Sequence, residues 1–241
     1  MIETHTLRKS FGDVHAVQGA SFAAQNGAIS TLLGANGSGK TTTLRMLCGL
    51  LAPDQGRVTI DSVDVAQDPM AARRRLGVFP DPFGLYPRLT AREHIHYFAR
   101  FHGLKGAKLR DATTQVAELL QMGELLDRRC EGFSQGQRMK VALARALVHR
   151  PPNVILDEPT RGLDVISVRL LRRVLRRMAD DGCCVLLSSH SMADVESLSD
   201  NVIIIDGGRV VHTGAPQDLI ASTQTPNLEE AFIALTQREA A

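Results

Sequence analysis

The stretch Gly34-Ala35-Asn36-Gly37-Ser38-Gly39-Lys40-Thr41-Thr42 constrains this chain more than any other. It follows the pattern G-x-x-x-x-G-K-[ST], in which glycines let backbone N–H groups close around a phosphate because no Cβ stands in the way. Lys40 reaches the β- and γ-phosphates as a point charge, and the Thr41 hydroxyl is placed to ligand Mg²⁺. Such a loop leaves a strand and opens a helix, whose positive N-terminal end then faces the anion. Both neighbours fit. Ala28–Leu33 reads as a short buried strand, and Leu44, Leu47, Cys48 and Leu51 fall at i, i+3, i+4 and i+7 of an amphipathic helix that stops before Pro53.

The 241 residues, 44% of them hydrophobic, allow one large α/β domain or two small ones. No run approaches about 18 apolar residues, so no membrane-spanning helix is expected. Met1-Ile2-Glu3-Thr4 has neither a basic start nor an apolar core, so no signal peptide is expected. A net charge of +2 argues against nucleic acid as a partner. Cys48, Cys130, Cys183 and Cys184 show no metal-ligand spacing, and Cys183-Cys184 lie in an apolar run as reduced core residues. A cytosolic setting follows.

Along the chain, residues 2–33 read as strands, and Asn26-Gly27 between Ala20–Ala24 and Ala28–Leu33 is a hairpin signal. By composition alone Phe11 reads as ordinary core. Arg57–Ile60 and Leu76–Pro80 are further strands, followed by the turn-rich segment Asp81–Arg88. Thr90-Ala91-Arg92-Glu93 is a capping box, so a helix starts at Ala91 and a mostly helical region runs to about Leu126. Met139, Ala142, Leu143, Ala146 and Leu147 keep helical period up to Pro151-Pro152. Asn153–Leu156 is a buried strand ending in Asp157-Glu158. Val168, Leu171, Leu175 and Met178 mark a helix ended by Gly182, and its arginines (Arg169, Arg172, Arg173, Arg176, Arg177) read as a solvated outer face. Cys183–Leu187 is a strand ending at Ser188-Ser189-His190. Asn201–Ile205 and Arg209–His212 form a hairpin, and a last helix runs from about Pro226 to Gln237 with Thr225 as cap.

Strands alternating with helices predict a mainly parallel α/β sheet, whose ligands sit at the carboxyl ends of its strands. Three strand ends carry reactive groups: the phosphate loop, Asp157-Glu158 and His190. An aspartate after an apolar strand can hold Mg²⁺, and the next glutamate can polarise a water for attack on the γ-phosphate. Ser134 and the Gly136 N–H, at a helix start, form a second anion site. A helix cap alone is the plainer reading of Ser134–Gln137.

Taken together and in this order, these motifs resemble those of ABC-type ATPases over almost the whole chain. Ser134-Gln135-Gly136-Gln137, about a hundred residues after the phosphate loop, is similar to the family signature. Lys9-Ser10-Phe11-Gly12 resembles its adenine-stacking aromatic loop, and Val154–Glu158 its second nucleotide motif with the catalytic glutamate. Gly162-Leu163-Asp164 resembles its D-loop, and Ser189-His190 its switch histidine. Several positions depart from the pattern. Phe11 stands for the usual Tyr, Phe133 and Gln135 for Leu and Gly in the signature, Arg161 for the common Ser, and Asp81 for the Q-loop glutamine.

The resemblance implies a P-loop NTPase fold: a mainly parallel sheet, an antiparallel β part and an inserted α-helical lobe. It places the lobe at about 82–150 and a C-terminal helix at about 226–237, in a single domain spanning 1–241. It implies ATP and Mg²⁺ as cofactors. Phe11, residues 34–42, Ser134, Gly136 and Gln137 would bind the nucleotide. Thr41, Asp157 and Asp81 would bind the metal, and Glu158 and His190 would be catalytic. It further implies a head-to-tail pair, each ATP lying between one copy's phosphate loop and the other's signature. The partners would be a second ATPase subunit and a separate transmembrane permease reached through Asp81–Leu89, at the inner face of the cell membrane. Gly84–Thr90 and Asn227–Phe232 look like the exporter branch, including sodium-extruding members. Three alternatives are disfavoured. A ribosome-acting ABC protein carries two cassettes, a DNA-repair one carries a long coiled coil, and a small-molecule kinase lacks Ser134–Gln137.

Overall fold

The structure, a computed structural model, describes residues 1–237. The chain begins with β1 (Ile2–Phe11), β2 (Val14–Ala24), β3 (Ile29–Leu33), α1 (Lys40–Leu47), β4 (Gln55–Ile60), β5 (Val63–Asp64), α2 (Pro69–Arg74) and β6 (Leu76–Phe79). Three helices follow, α3 (Ala91–Phe101), α4 (Gly106–Leu119) and α5 (Gln135–Leu147). The remainder is β7 (Asn153–Leu156), α6 (Val165–Asp180), β8 (Cys184–Ser189), α7 (Met192–Leu198), β9 (Asn201–Asp206), β10 (Arg209–Gly214), α8 (Pro216–Thr223) and α9 (Leu228–Gln237).

Two sheets result. One is four-stranded and antiparallel, in the order β2-β1-β4-β5. The other runs β10-β9-β3-β8-β7-β6, with β9, β3, β8, β7 and β6 parallel and β10 antiparallel at the edge. This is the P-loop NTPase arrangement expected. The parallel strands are buried on both faces, as strands covered by helices must be. All five residues of β3 and all four of β7 are buried. Each fully buried Leu, Ile or Phe adds about 1.5–3 kcal/mol of transfer free energy, so this central sheet sets the frame to which the site is attached.

The expected hairpin at Asn26-Gly27 does not form. Gly27 does turn, with φ +71°, but its N–H goes to Cys183 O at 3.1 Å, and β3 pairs with β8 and β9 in the other sheet. The unalternating burial of β3 is a mark of a central parallel strand, and it outweighs the local turn signal.

Helices α3, α4 and α5 pack on one another between β6 and β7. They share one apolar cluster with the sheet through Phe79, Val154 and Leu156, and with α6 through Leu171. The Thr90–Glu93 capping box opens α3 as expected. On α6, Leu171 and Leu175 are buried, but the arginines are not all solvated. Arg172 pairs with Asp194 at 3.0 Å and Arg176 with Asp200 at 2.9 Å, while Arg169, Arg173 and Arg177 are exposed. The last helix starts at Leu228 rather than Pro226. Its cap is Asn227, whose Oδ1 accepts the Glu230 N–H at 2.9 Å, so Thr225 is not the cap. Helix α8 was not expected from the sequence. All four cysteines are free, Cys184 buried and Cys183 half-buried just ahead of β8. Among the described residues no helix is long and apolar enough to cross a membrane.

Candidate active site

The carboxyl ends of β3, β6, β7 and β8 lie side by side, because these four strands are adjacent and parallel. From β3 the chain enters the phosphate loop. A Cβ on Gly34 would lie 2.4 Å from Ile205 O and 2.5 Å from Ser38 Oγ, and one on Gly39 (φ +104°) would lie 2.4 Å from Ala16 O. Only glycine fits either position. Helix α1 begins directly at Lys40, with no side-chain cap and no acidic residue in its first turn, so its N-terminus is open to an anion. Lys40 is 7% exposed, and its Nζ donates to Gly34 O at 2.7 Å and Ala35 O at 3.1 Å. Burial lowers its pKa below the usual lysine value, and Glu158 and Asp157 oppose that shift. Ser38 Oγ is buried without a hydrogen-bond partner. A glycine cradle, a largely buried ammonium and an orphaned hydroxyl together fit a polyphosphate.

Asp157 and Glu158 follow β7 and are held by β8. Ser188 Oγ donates to Asp157 Oδ1 at 2.6 Å and accepts the Glu158 N–H at 2.9 Å. Burial raises the Asp157 pKa above the usual carboxylate range. The Ser188 hydrogen bond lowers it, and the charges of Glu158 and Asp81 raise it further. Glu158 sits at φ +45°, a left-handed conformation costing about 1 kcal/mol or more for a non-glycine residue. That turn aims its half-buried carboxylate at His190, whose Nδ1 lies 2.8 Å from Glu158 Oε2. The contact requires the proton on Nδ1, leaving Nε2 of this exposed ring free.

The other expected residues divide. Asp81, just beyond β6, is bound by Arg161 at 3.0 Å (Oδ2 to Nη1), so the carboxylate expected to ligand the metal is engaged by a guanidinium. Phe11 is 51% exposed at the end of β1 with Lys9 Nζ 5.6 Å from its ring centroid, so it is not core. Ser134 and Gln137 form a reciprocal capping box on α5, each accepting the other's backbone N–H. A Cβ at Gly136 would lie 2.2 Å from Ser167 Oγ, so a larger residue there would displace the hydroxyl that donates to Asp164. No hydrogen bond or ion pair among the described residues joins Ser134–Gln137 to the phosphate loop. Thr41 is exposed on the first turn of α1 and Thr42 half-exposed. Thr41 and Asp157 offer hard oxygen donors, as Mg²⁺ prefers. No three His, Cys, Asp or Glu side chains among the described residues converge as a complete metal cluster.

Sequence reasoning missed two residues. Ser188 orients both Asp157 and Glu158. Asp194, 5% exposed, accepts from Thr160 at 2.6 Å, Arg172 at 3.0 Å and Ser189 at 3.3 Å, tying the segment after Glu158 to the one before His190. Buried polar residues ending an apolar strand, Ser188-Ser189, were the available signal. A separate groove of about 930 Å³ between α4 and α6 contains none of these site residues.

The model of the ABC transporter family matches residues 17–161. The chain is 39% identical over 221 residues to the ABC transporter ATP-binding protein NatA of Bacillus subtilis, covering 91% of this chain and 90% of that one. It is 38% identical over 231 residues to the Nod factor export ATP-binding protein I of Paraburkholderia xenovorans, covering 96% and 76%. Among solved structures it superposes on the ATP-binding subunit of an ABC transporter with a TM-score of 0.90 at 28% identity, covering 98% and 99%. It superposes on the dimeric bacterial cassette MJ0796 with a TM-score of 0.81 at 25% identity, covering 89% and 98%.

Proposed function

This chain belongs to the ABC transporter family as an ATP-binding, ATP-hydrolysing domain, and we propose that it powers export of a substrate through a separate membrane permease. The observation that carries the mechanism is the meeting of Lys40, Asp157 and the Glu158–His190 pair at one sheet edge. Lys40 neutralises the β- and γ-phosphates. Thr41 and Asp157 would hold Mg²⁺, which would supply charge neutralisation at the phosphates. Glu158 orients the attacking water, and His190 fixes the Glu158 carboxylate. Phe11 offers its exposed face to adenine, with Lys9 beside it.

A monomer presents only half of this site. The capping box that orders Ser134, Gly136 and Gln137 leaves the N-terminus of α5 ready for an anion, and in a head-to-tail pair that anion is the other copy's γ-phosphate. The relatives' names favour export, and the segment Asp81–Leu89 with the α3–α5 lobe is the surface that meets the permease, at the inner face of the membrane. The test is isolation of the tagged chain from detergent-solubilised membranes. A stoichiometric membrane-spanning chain that stimulates its ATPase activity is expected. Recovery of ribosomal RNA or DNA in place of that chain overturns the reading.

A further inference from the structure

At the carboxyl edge of the parallel sheet three carboxylates crowd one phosphate site: Asp157 and Glu158 after β7, and Asp81 after β6. The first two have work assigned to them by their contacts with Ser188 and His190. Asp81 has a single polar partner among the described residues, Arg161, whose Nη1 lies 3.0 Å from its Oδ2. Arg161 is itself geared to Glu158, because its backbone N–H donates to Glu158 O at 3.1 Å. The Asp157 N–H donates to Phe79 O at 3.0 Å, so the segment that carries Asp81 leaves the sheet beside Asp157. Two residues that each depart from the family pattern thus meet as an ion pair.

We propose that Asp81 and Arg161 act as one latch: Arg161 cancels the Asp81 charge beside the γ-phosphate position and ties the segment after β6 to the segment after β7. Without Arg161, an unpaired carboxylate would face a polyanion across a partly desolvated gap, and ATP would bind less well. Without either member the site loses no net charge, so ATP binding is preserved. Both are positioning residues, since neither is asked to touch the reacting atoms. ADP lacks the γ-phosphate beside which the latch is placed, so ATP should feel it more than ADP does.

This inference rests on the reading of residues 34–42 as the nucleotide site, and the experiment separates the two. Equilibrium binding of ATP and ADP is measured for the wild type, Asp81→Asn, Arg161→Ala and the double variant, in EDTA and again with Mg²⁺. Lys40→Ala is the control. Loss of ATP binding in Lys40→Ala keeps the nucleotide site whatever Arg161 does. The latch predicts that Arg161→Ala weakens ATP about three- to fivefold, the range of a partly exposed ion pair. The loss should be smaller for ADP and should shrink at high salt. The double variant should return to the wild-type value in both buffers. Additive losses in the double variant, or an Arg161→Ala protein that binds ATP as the wild type does, overturn the latch. So does weakening by Asp81→Asn confined to the Mg²⁺ buffer, which would make Asp81 a metal ligand.

Discussion

At their carboxyl ends β3, β6, β7 and β8 lead into Lys40, Asp81, Asp157, Glu158 and His190. At their amino ends the same four strands carry polar groups of another kind. Asn153 is fully buried, and its Nδ2 donates to Asp61 Oδ2 at 2.8 Å and Arg75 O at 3.2 Å. His149 lies against Leu76 O at 3.2 Å and stacks on His102 with ring centroids 3.4 Å apart. Burial pushes the thiols of Cys183 and Cys184 up to about 12 and about 11. At this end the polar groups are mostly neutral or bonded to fixed partners, which stabilises the fold, although Ser30 Oγ and His149 Nδ1 are also buried without a partner. At the other end they are charged, strained at Glu158 or left without a partner at Ser38, which stores capacity for a ligand. One set of strands thus separates stability from chemistry by direction.

The comparison breaks first at the carboxyl ends if Lys40→Ala keeps ATP hydrolysis. The account expects a fall of about 10³-fold or more, because a desolvated phosphate clamp is lost. The thermal midpoint should shift by no more than about 2–4 °C. Next comes Glu158→Gln, expected to retain ATP binding while turnover falls about 10²- to 10⁴-fold. A steady-state assay with a nucleotide-binding titration separates these outcomes, and wild-type turnover would move the water-orienting role elsewhere.

The amino ends should behave in reverse. His149 has a pKa lowered to about 4 by burial and by His102, below its ordinary 6.5. The unfolded chain therefore binds more protons between those values, and stability is lost as pH falls from 6.5 towards 4. That loss is about 3 kcal/mol at full titration. His149→Gln should flatten this part of a denaturant-derived stability profile, and an unchanged slope would remove His149 from the account. The smallest effect is Asn153→Ala, expected to lower stability by about 1–2 kcal/mol because a buried bond to Asp61 is lost. Its kcat for ATP should stay within about twofold of wild type where the protein is folded.

Much of this division was legible in the sequence, for reasons that differ by residue. The phosphate loop was readable because its glycines answer local demands, Gly39 holding φ +104° and Gly34 lying against Ser38 Oγ, and local pattern reports local sterics. The α3 and α5 starts were readable because their caps are local hydrogen bonds. The pairing of β3 was misread because a turn signal at Asn26-Gly27 says nothing about which sheet the next strand joins. The Asp81–Arg161 pair spans 80 positions and Ser188–Asp157 spans 31, so neither leaves a local trace. Thr225 was misjudged as a cap because Pro226 resembles a helix start, while Asn227 supplies the stronger acceptor.

The central claim is that each ATP is hydrolysed between the phosphate loop of one copy and Ser134 of another. Mixing Lys40→Ala protein with Ser134→Arg protein tests it directly. In a head-to-tail pair both defects fall in one site and the second site is intact. Random mixing of independent sites should then restore about a quarter of the wild-type ATPase rate, although each variant alone is inactive. A mixture no more active than its components, with the wild type active under the same conditions, would contradict the shared site.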